Sequence, residues 1–372
     1  MGHRFSKMIV IIFCLYIGGI ALLSMVLPDA DFSEMENRYL QKFPEFTMSG
    51  VQSGRTMKEM EDYISDHLVF RDQWVCLKAA CEMLTGKHEN NGVYFGKDGT
   101  LLKKIEVENA DKLIKNAEYI NALKKNVSVP IYYGLVPTAS EIWSEKLPQG
   151  ALTAEENQWI EELYQIVDVT TLDFSEELEK HESEPVFYKT DHHWTSLGAY
   201  YGANVILENM GLEKLDIADY ESTVVTKDFY GTVYSQSGAW WIEPDEITTY
   251  ISDSGKTVIS NFTGKEQPGK LYDYDKLNGK NKYTFFLGGN QPICIVKSEN
   301  GNDQRLLVIR DSYADALVPF LSERFGEIHL FDLRYNRLSI KKYVQEHEID
   351  QILILYSFGN YVADTNQFLL AY

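Results

Sequence analysis

Cysteine is scarce here, with only Cys14, Cys76, Cys81 and Cys294 in 372 residues. Cys14 lies in an apolar N-terminal run, while Cys76 and Cys81, five apart in an expected helix, point in different directions. No disulfide framework is indicated and no metal-type cysteine spacing exists, which suits a cell surface that does not depend on disulfides. Basic blocks are missing after residue 40, and the formal net charge is −20. Such a field repels polyanions, so nucleic acid is not an expected partner, and a neutral or cationic substrate fits better. Internal repeats and low-complexity tracts are absent, and nothing calls for a cofactor. What remains is a globular composition, 24% charged and 44% hydrophobic, long enough for one sizeable core plus an insertion.

The first feature present in quantity is apolar. Met8 to Leu27 is a run of twenty uncharged residues, enough to span about 30 Å of hydrocarbon as a helix. Arg4 and Lys7 precede it, and Asp29, Asp31, Glu34 and Glu36 follow it. The positive-inside bias therefore predicts a cytoplasmic N-terminus and an extracellular remainder after Pro28, in a single-pass cell-membrane protein. A cleaved signal peptide is the competing reading. Its apolar core is usually about 7–15 residues, and no clear small-x-small site follows this longer run, so an uncleaved anchor is favoured. A buried core helix is disfavoured by the lack of a polar face.

Three regions are expected: a cytoplasmic tip and anchor over 1–28, a stem plus helix over 29–90, and a catalytic domain over 91–372. Ser53 to Leu84 carries Met57, Met60, Tyr63, Ile64 and Leu68 at three- and four-residue spacing, which predicts a helix with one packed face. Val93 to Leu102 reads as a hairpin turning at Asp98-Gly99. Helical patterns then alternate with apolar strands: helices over 107–125, 154–167 and 197–210, the last with Thr195 or Ser196 as N-cap, and a strand over 129–136. Residues 213–300 are rich in Tyr, Thr, Gly and Asp, and predict an inserted β-rich lobe with small strands at 247–251 and 283–287. The C-terminal third predicts three buried strands at 305–310, 327–331 and 349–356, each followed by a polar turn, with a helix after each of the first two. This alternation implies βαβ units and a parallel sheet flanked by helices.

Ligands of open α/β sheets sit beyond the carboxyl ends of the strands. Three segments fall there: Arg310-Asp-Ser-Tyr313, Asp332-Leu-Arg-Tyr335 and Ser357-Phe-Gly-Asn360. Ser312 would stand at a strand-to-helix turn, where free N–H groups can stabilise an oxyanion. Taken alone, this segment favours Asp311 or Ser312 as a simple N-cap, the commonest use of such residues. A serine nucleophile also needs a base oriented by a carboxylate. Lys189-Thr-Asp-His-His-Trp-Thr195 supplies both types, with Asp191 and His193 on one side of an extended segment and His192 pointing the other way. A polar loop or a metal site are the other readings of this segment. Metal ranks second, because too few ligands are local and no H-x-x-x-H pair supplies the rest.

The run Thr190-Asp-His-His-Trp-Thr195 followed by Gly198-Ala-Tyr-Tyr201 resembles the DHHW family of bacterial surface proteins. The resemblance extends through Glu36-Asn-Arg-Tyr-Leu40, Asp66-His-Leu-Val-Phe-Arg71, Asn91 to Gly99, Phe286-Leu-Gly-Gly-Asn290, Asp311-Ser-Tyr313 and Asp332-Leu-Arg-Tyr335. That family looks related to SGNH-hydrolase-like proteins that O-acetylate alginate and other exported polysaccharides. The resemblance implies a circularly permuted SGNH-type fold and a triad of Ser312, His193 and Asp191, with Arg310 where the serine block usually has glycine. It also implies an oxyanion amide from Asn360 or, in competition, Asn290. Trp194, Tyr313 and Arg334 are candidate substrate contacts, and Trp240-Trp241 a candidate glycan platform. The implied activity is O-acetyl transfer to a surface or exported polysaccharide, with acetyl groups supplied by a membrane-bound O-acyltransferase partner. The alternatives are a polysaccharide acetylesterase with the same triad and a non-catalytic polysaccharide-binding or assembly protein.

Overall fold

The computed structural model describes residues 2–33, 38–250 and 255–372. Glu34, Glu36 and Asn37 of the acidic flank and the Glu36–Leu40 motif lie outside the described residues, as does Ile251 of the strand expected at 247–251. The chain forms two compact units, Met1–Asn91 with Ser235–Trp241, and Gly92–Tyr234 with Ile242–Tyr372.

In the first unit the apolar run is helical over Gly2–Val26. The stretch Arg4–Val26 is 23 residues with none of it buried, and at 1.5 Å per residue such a helix reaches about 35 Å, enough to cross a membrane. The helix expected over Ser53–Leu84 is two helices, Arg55–Asp66 and Arg71–Leu84. The break falls at Phe70, whose φ of 60° is left-handed and cannot continue a helix. Met57, Ile64 and Leu68, expected on a packed face, remain exposed.

The second unit is built on one eight-stranded sheet. Its strands are β1 (Ile131–Val136), β2 (Thr170–Asp173), β3 (Lys256–Asn261), β4 (Gln267–Gly269), β5 (Ile293–Ser298), β6 (Asn302–Arg310), β7 (Phe325–Phe331) and β8 (Gln351–Ser357). Their spatial order is β4-β3-β5-β7-β6-β8-β1-β2. The five strands from β7 to β2 are parallel, and β5, β3 and β4 continue the sheet antiparallel.

Strand residues alternate between two cores. Leu306, Val308, Leu353 and Leu355 face one core with the helices Ser196–Asn209 and Ala314–Leu321. Leu307, Ile309, Ile352 and Ile354 face the other, with Ala110–Asn126, Glu156–Tyr164 and Ile340–Glu346. Burial on both faces is why β6 and β8 read as continuous apolar runs rather than alternating ones. Each fully buried Leu or Ile contributes about 1.5–3 kcal/mol of transfer free energy. The architecture is mixed α/β with a parallel sheet.

The lobe expected at 213–300 is corrected. β5 pairs with β7 from Ile293 to Lys297 and buries Cys294 and Val296, so β3, β4 and β5 belong to the main sheet. Outside it, Thr223–Phe229 and Asp245–Thr249 pair as a separate antiparallel ribbon. Tyr283–Leu287 is not a strand: Lys282–Phe285 is a 3-10 turn that buries consecutive rings, and Leu287, Gly288 and Gly289 all take positive φ to leave it. The hairpin at 93–102 forms as expected, Val93–Phe95 pairing antiparallel with Leu101–Lys103. Thr195, not Ser196, caps the following helix, accepting from the Gly198 N–H at 3.2 Å.

Candidate active site

β6 ends at Arg310, and the turn Asp311-Ser312 leads into Ala314–Leu321, whose N-cap position is Tyr313. Neither Asp311 nor Ser312 therefore caps that helix. Asp311 is buried and does something else. Its Oδ1 accepts from the Tyr313 N–H at 2.9 Å, and its Oδ2 accepts from Ser357 N–H, Ser357 Oγ and Asn360 Nδ2 at 2.9, 3.0 and 2.8 Å. The ends of β6 and β8 are thereby tied together around Ser312. Arg310, fully buried, passes under the turn and meets Asp315 at 2.9 Å, so the residues flanking Ser312 are also bridged. Burial pushes the Asp315 carboxyl up to about 6 against the opposing pull of Arg310.

The Asp/His segment is a tight loop rather than the extended segment expected. Phe187 bridges Trp194, Thr195 N–H bonds Val186 O at 2.9 Å, and His193 N–H folds back on Asp191 Oδ1 at 3.1 Å, an Asx turn. Asp245 holds the loop from outside by accepting from Lys189 N–H, Thr190 N–H and Thr190 Oγ1.

From this loop His193 reaches Ser312. Its Nε2 lies 2.7 Å from Ser312 Oγ and its Nδ1 lies 2.5 Å from Asp191 Oδ1. A carboxylate can only accept, so Nδ1 carries the proton and Nε2 presents its lone pair to the hydroxyl. Asp191 Oδ2 accepts from the N–H and hydroxyl of Thr232 at 2.7 and 3.0 Å. Burial alone would raise the Asp191 pKa. The two neighbouring histidines and these hydrogen bonds outweigh it and hold the carboxyl well below the usual range. All three groups are buried, Ser312 being 8% exposed.

His192, expected to point the other way, instead lies beside the pair: its ring is 3.9 Å from that of His193, and its Nδ1 is 3.7 Å from Asp191 Oδ1 and 2.7 Å from Thr232 Oγ1. Thr232 gives its own proton to Asp191, so His192 Nδ1–H is the donor in that bond. Burial, then the field of His193, holds His192 down to about 3, although 26% of its side chain is exposed. It is neutral at pH 7. The ligand-type atoms of Asp191, His192 and His193 lie within 4.8 Å of one another. The hydrogen bonds to Thr232, to Ser312 and within the loop already account for that clustering.

The remaining sequence candidates separate. Trp194 is fully buried, its Nε1–H donates to Tyr313 O at 2.9 Å, and Gly202 packs on its ring. No ring face is left for a sugar. Tyr313 is fully buried too, its hydroxyl donating to His192 O. Trp194 is therefore a packing residue, whereas Tyr313, though buried, borders the crevice beside Asn360 described below. Arg334 forks onto Asp332, with Nε and Nη2 at 2.8 and 2.6 Å from the carboxylate, and also bonds Asn290 Oδ1 at 3.2 Å. Asn290 is exposed and its Oδ1 also meets Arg310 Nη1 at 3.4 Å. Asn360 donates to Asp311, as above. It borders a crevice of 20 Å³ that is also lined by Lys103, Thr138, His192 and Ser357. Trp240 and Trp241 pack edge to face at 6.1 Å in the first unit, Trp240 being exposed.

Four residues around the site were not singled out as site residues by the sequence. Tyr283 stacks on His193, Thr232 holds Asp191, Asp245 holds the loop, and Gly231 lets the chain pass against Asp191. Only the Tyr283-Thr-Phe-Phe cluster hinted at one of them, and as a strand.

A doubly covered parallel sheet with a buried Asp–His–Ser hydrogen-bonded chain at its strand ends defines the class. Within that class, residues 118–331 match the family described as DHHW protein. This is more than half of the chain, and the chain belongs to that family. The crystal structure of a DHHW family protein from Eubacterium siraeum is similar at 25% identity and a TM-score of 0.67, over 76% of this chain and 95% of that one. The structure of Bacillus cereus PatB1 with a sulfonyl adduct is similar at 22% identity and a TM-score of 0.62, over 74% and 99%. The O-acetyltransferase domain of Pseudomonas putida AlgJ aligns at 14% identity and a TM-score of 0.46, over 73% and 93%. No curated protein matches the chain.

Proposed function

We propose that this chain is a membrane-anchored, outward-facing O-acetyltransferase that acts on a cell-surface or exported polysaccharide through an acetyl-serine at Ser312. The observation that carries this reading is the hydrogen-bonded order Asp191–His193–Ser312. His193 Nε2 takes the Ser312 proton as Oγ bonds the acetyl carbon and the carbonyl pair moves onto oxygen. Collapse of that intermediate expels the donor's oxygen, which takes the proton back from His193. A sugar hydroxyl then repeats the sequence in reverse, His193 removing its proton, and frees Ser312. Asp191 stays ionised and holds the imidazole tautomer. The Ser312 N–H and a side-chain amide, Asn360 or Asn290, serve the oxyanion.

The sheet supports the family's implied fold. Numbered from β6, the parallel strands run in the order 2-1-3-4-5, a common doubly wound order in which the ligand crevice lies between strands 1 and 3. Those are β6 and β8, the strands that Asp311 ties together. A circular permutation that moves β1 and β2 to the front of the chain accounts for the Asp/His loop preceding the serine. The charge asymmetry about the uncharged run Met8–Leu27, with Arg4 and Lys7 before it and Asp29 and Asp31 after it, supports an extracellular site. Acetyl groups then reach it from a membrane-bound O-acyltransferase partner.

The test is Ser312→Ala in the full chain, measuring acetyl-ester turnover and the acetyl content of surface glycans. Loss of both supports transfer. Acetate released by the wild type without transfer to any oligosaccharide replaces transfer by ester hydrolysis, and two unchanged values overturn catalysis altogether.

A further inference from the structure

Tyr283 lies flat on His193, with ring centroids 3.7 Å apart and planes 9° apart. Two neutral aromatic rings prefer offset or edge-on contact with centroids at about 4.5–7 Å. Face-on contact at short range is instead the arrangement of a cation over a π face. The ring is held in that position. Its hydroxyl donates to Ser312 O at 3.2 Å, Tyr188 abuts it edge-on, and only 4% of the residue is exposed. On the same imidazole, His192 is tilted by 38° at 3.9 Å and Tyr313 is 5.3 Å away.

We propose that Tyr283 is a positioning residue whose ring face stabilises the protonated imidazole of His193 and so strengthens it as the base for Ser312. The inference rests on the reading of Ser312 as nucleophile. When the proton leaves Oγ for Nε2 and Oγ bonds the acyl carbon, the imidazole gains a positive charge. Asp191 meets that charge in the ring plane, through Nδ1–H. Tyr283 meets it from the ring face. The other titratable groups near His193 are accounted for. His192 is neutral at pH 7, Asp315 feels the charge of His193 while paired to Arg310, and the Tyr188, Tyr283 and Tyr313 phenols are all pushed well above their ordinary value by burial.

The experiment uses the full chain in detergent, with p-nitrophenyl acetate turnover followed against pH. Tyr283→Phe keeps the ring and should stay within a few-fold of wild type. Tyr283→Leu should lose about tenfold in kcat, the scale of one desolvated cation–π contact. The acid limb of its pH profile should move to lower pH, because a less stabilised imidazolium loses its proton more readily. Should Tyr283→Leu fail to fold, phenylalanines of increasing fluorine content at 283 keep the shape and drain the π face. Their kcat should fall step by step, with the acid limb moving down. A flat fluorine series on an enzyme with Ser312-dependent turnover overturns the role of Tyr283 and leaves the nucleophile standing. Wild-type turnover that persists in Ser312→Ala overturns both.

Discussion

The Asp311 carboxylate accepts the Ser357 backbone N–H at 2.9 Å, joining the end of β6 to the end of β8 beside Ser312. Asp311 is not in the Asp–His–Ser chain, yet it receives four hydrogen bonds, from Tyr313 N–H, Ser357 N–H, Ser357 Oγ and Asn360 Nδ2. Asp311→Ala orphans these donors in a buried place, at about 1–3 kcal/mol for each one left unpaired. The variant should lose about 3 kcal/mol or more of stability in urea unfolding and most of its turnover. Asp311→Asn keeps an acceptor at one oxygen and should fall between.

Gly231 is chosen by close approach. A Cβ there would land on the Cβ and Oδ2 of Asp191. Gly231→Ala should therefore push the carboxylate off Nδ1 of His193 while the distant sheet is untouched. A displacement of about 1 Å costs on the order of 10²-fold in rate. The expected result is such a fall in kcat with an unchanged far-UV spectrum, and a smaller loss in KM than in kcat.

Glu156 provides a pH test separate from the chemistry. It is fully buried, with its carboxyl bonded by Thr138 N–H at 2.8 Å and Thr138 Oγ1 at 2.6 Å. Burial, partly opposed by those bonds, pushes it from 4.5 to about 8. The folded state thus binds the extra proton between those two values, and stability falls as pH rises through that window. Glu156→Gln keeps the shape and removes the titration. Relative to wild type it should gain stability between pH 5 and pH 9, seen as a smaller drop in Tm across that range. Parallel Tm curves for the two proteins would contradict the buried protonated carboxyl.

Legibility in the sequence followed burial. β6 and β8 were readable because both faces of each strand meet a core, so the run from Leu306 to Ile309 and that from Ile352 to Leu355 are apolar throughout. β3 was not, because its Lys256-Thr-Val-Ile-Ser-Asn261 pattern is that of a strand near the sheet edge, and only its pairing with β5 shows where it belongs. Asp191, His193 and Ser312 could be nominated because a serine nucleophile needs those side chains. Their approach across 119 residues is a matter of tertiary structure. The supporting residues were hidden for the same reason: nothing local marks Gly231, Thr232 or Tyr283 among the chain's 25 glycines and 24 tyrosines. Trp194 was misjudged because a tryptophan beside a polar loop gives no local sign of whether it faces solvent or core.

The most direct measurement is mass spectrometry of the full chain quenched during turnover of an activated acetyl ester, followed by peptide mapping. One acetyl group should appear on the peptide containing Ser312, and it should be absent from Ser312→Ala and His193→Ala. An acetyl group on another side chain, or continued turnover by Ser312→Ala, would contradict the assignment of Ser312 as the nucleophile.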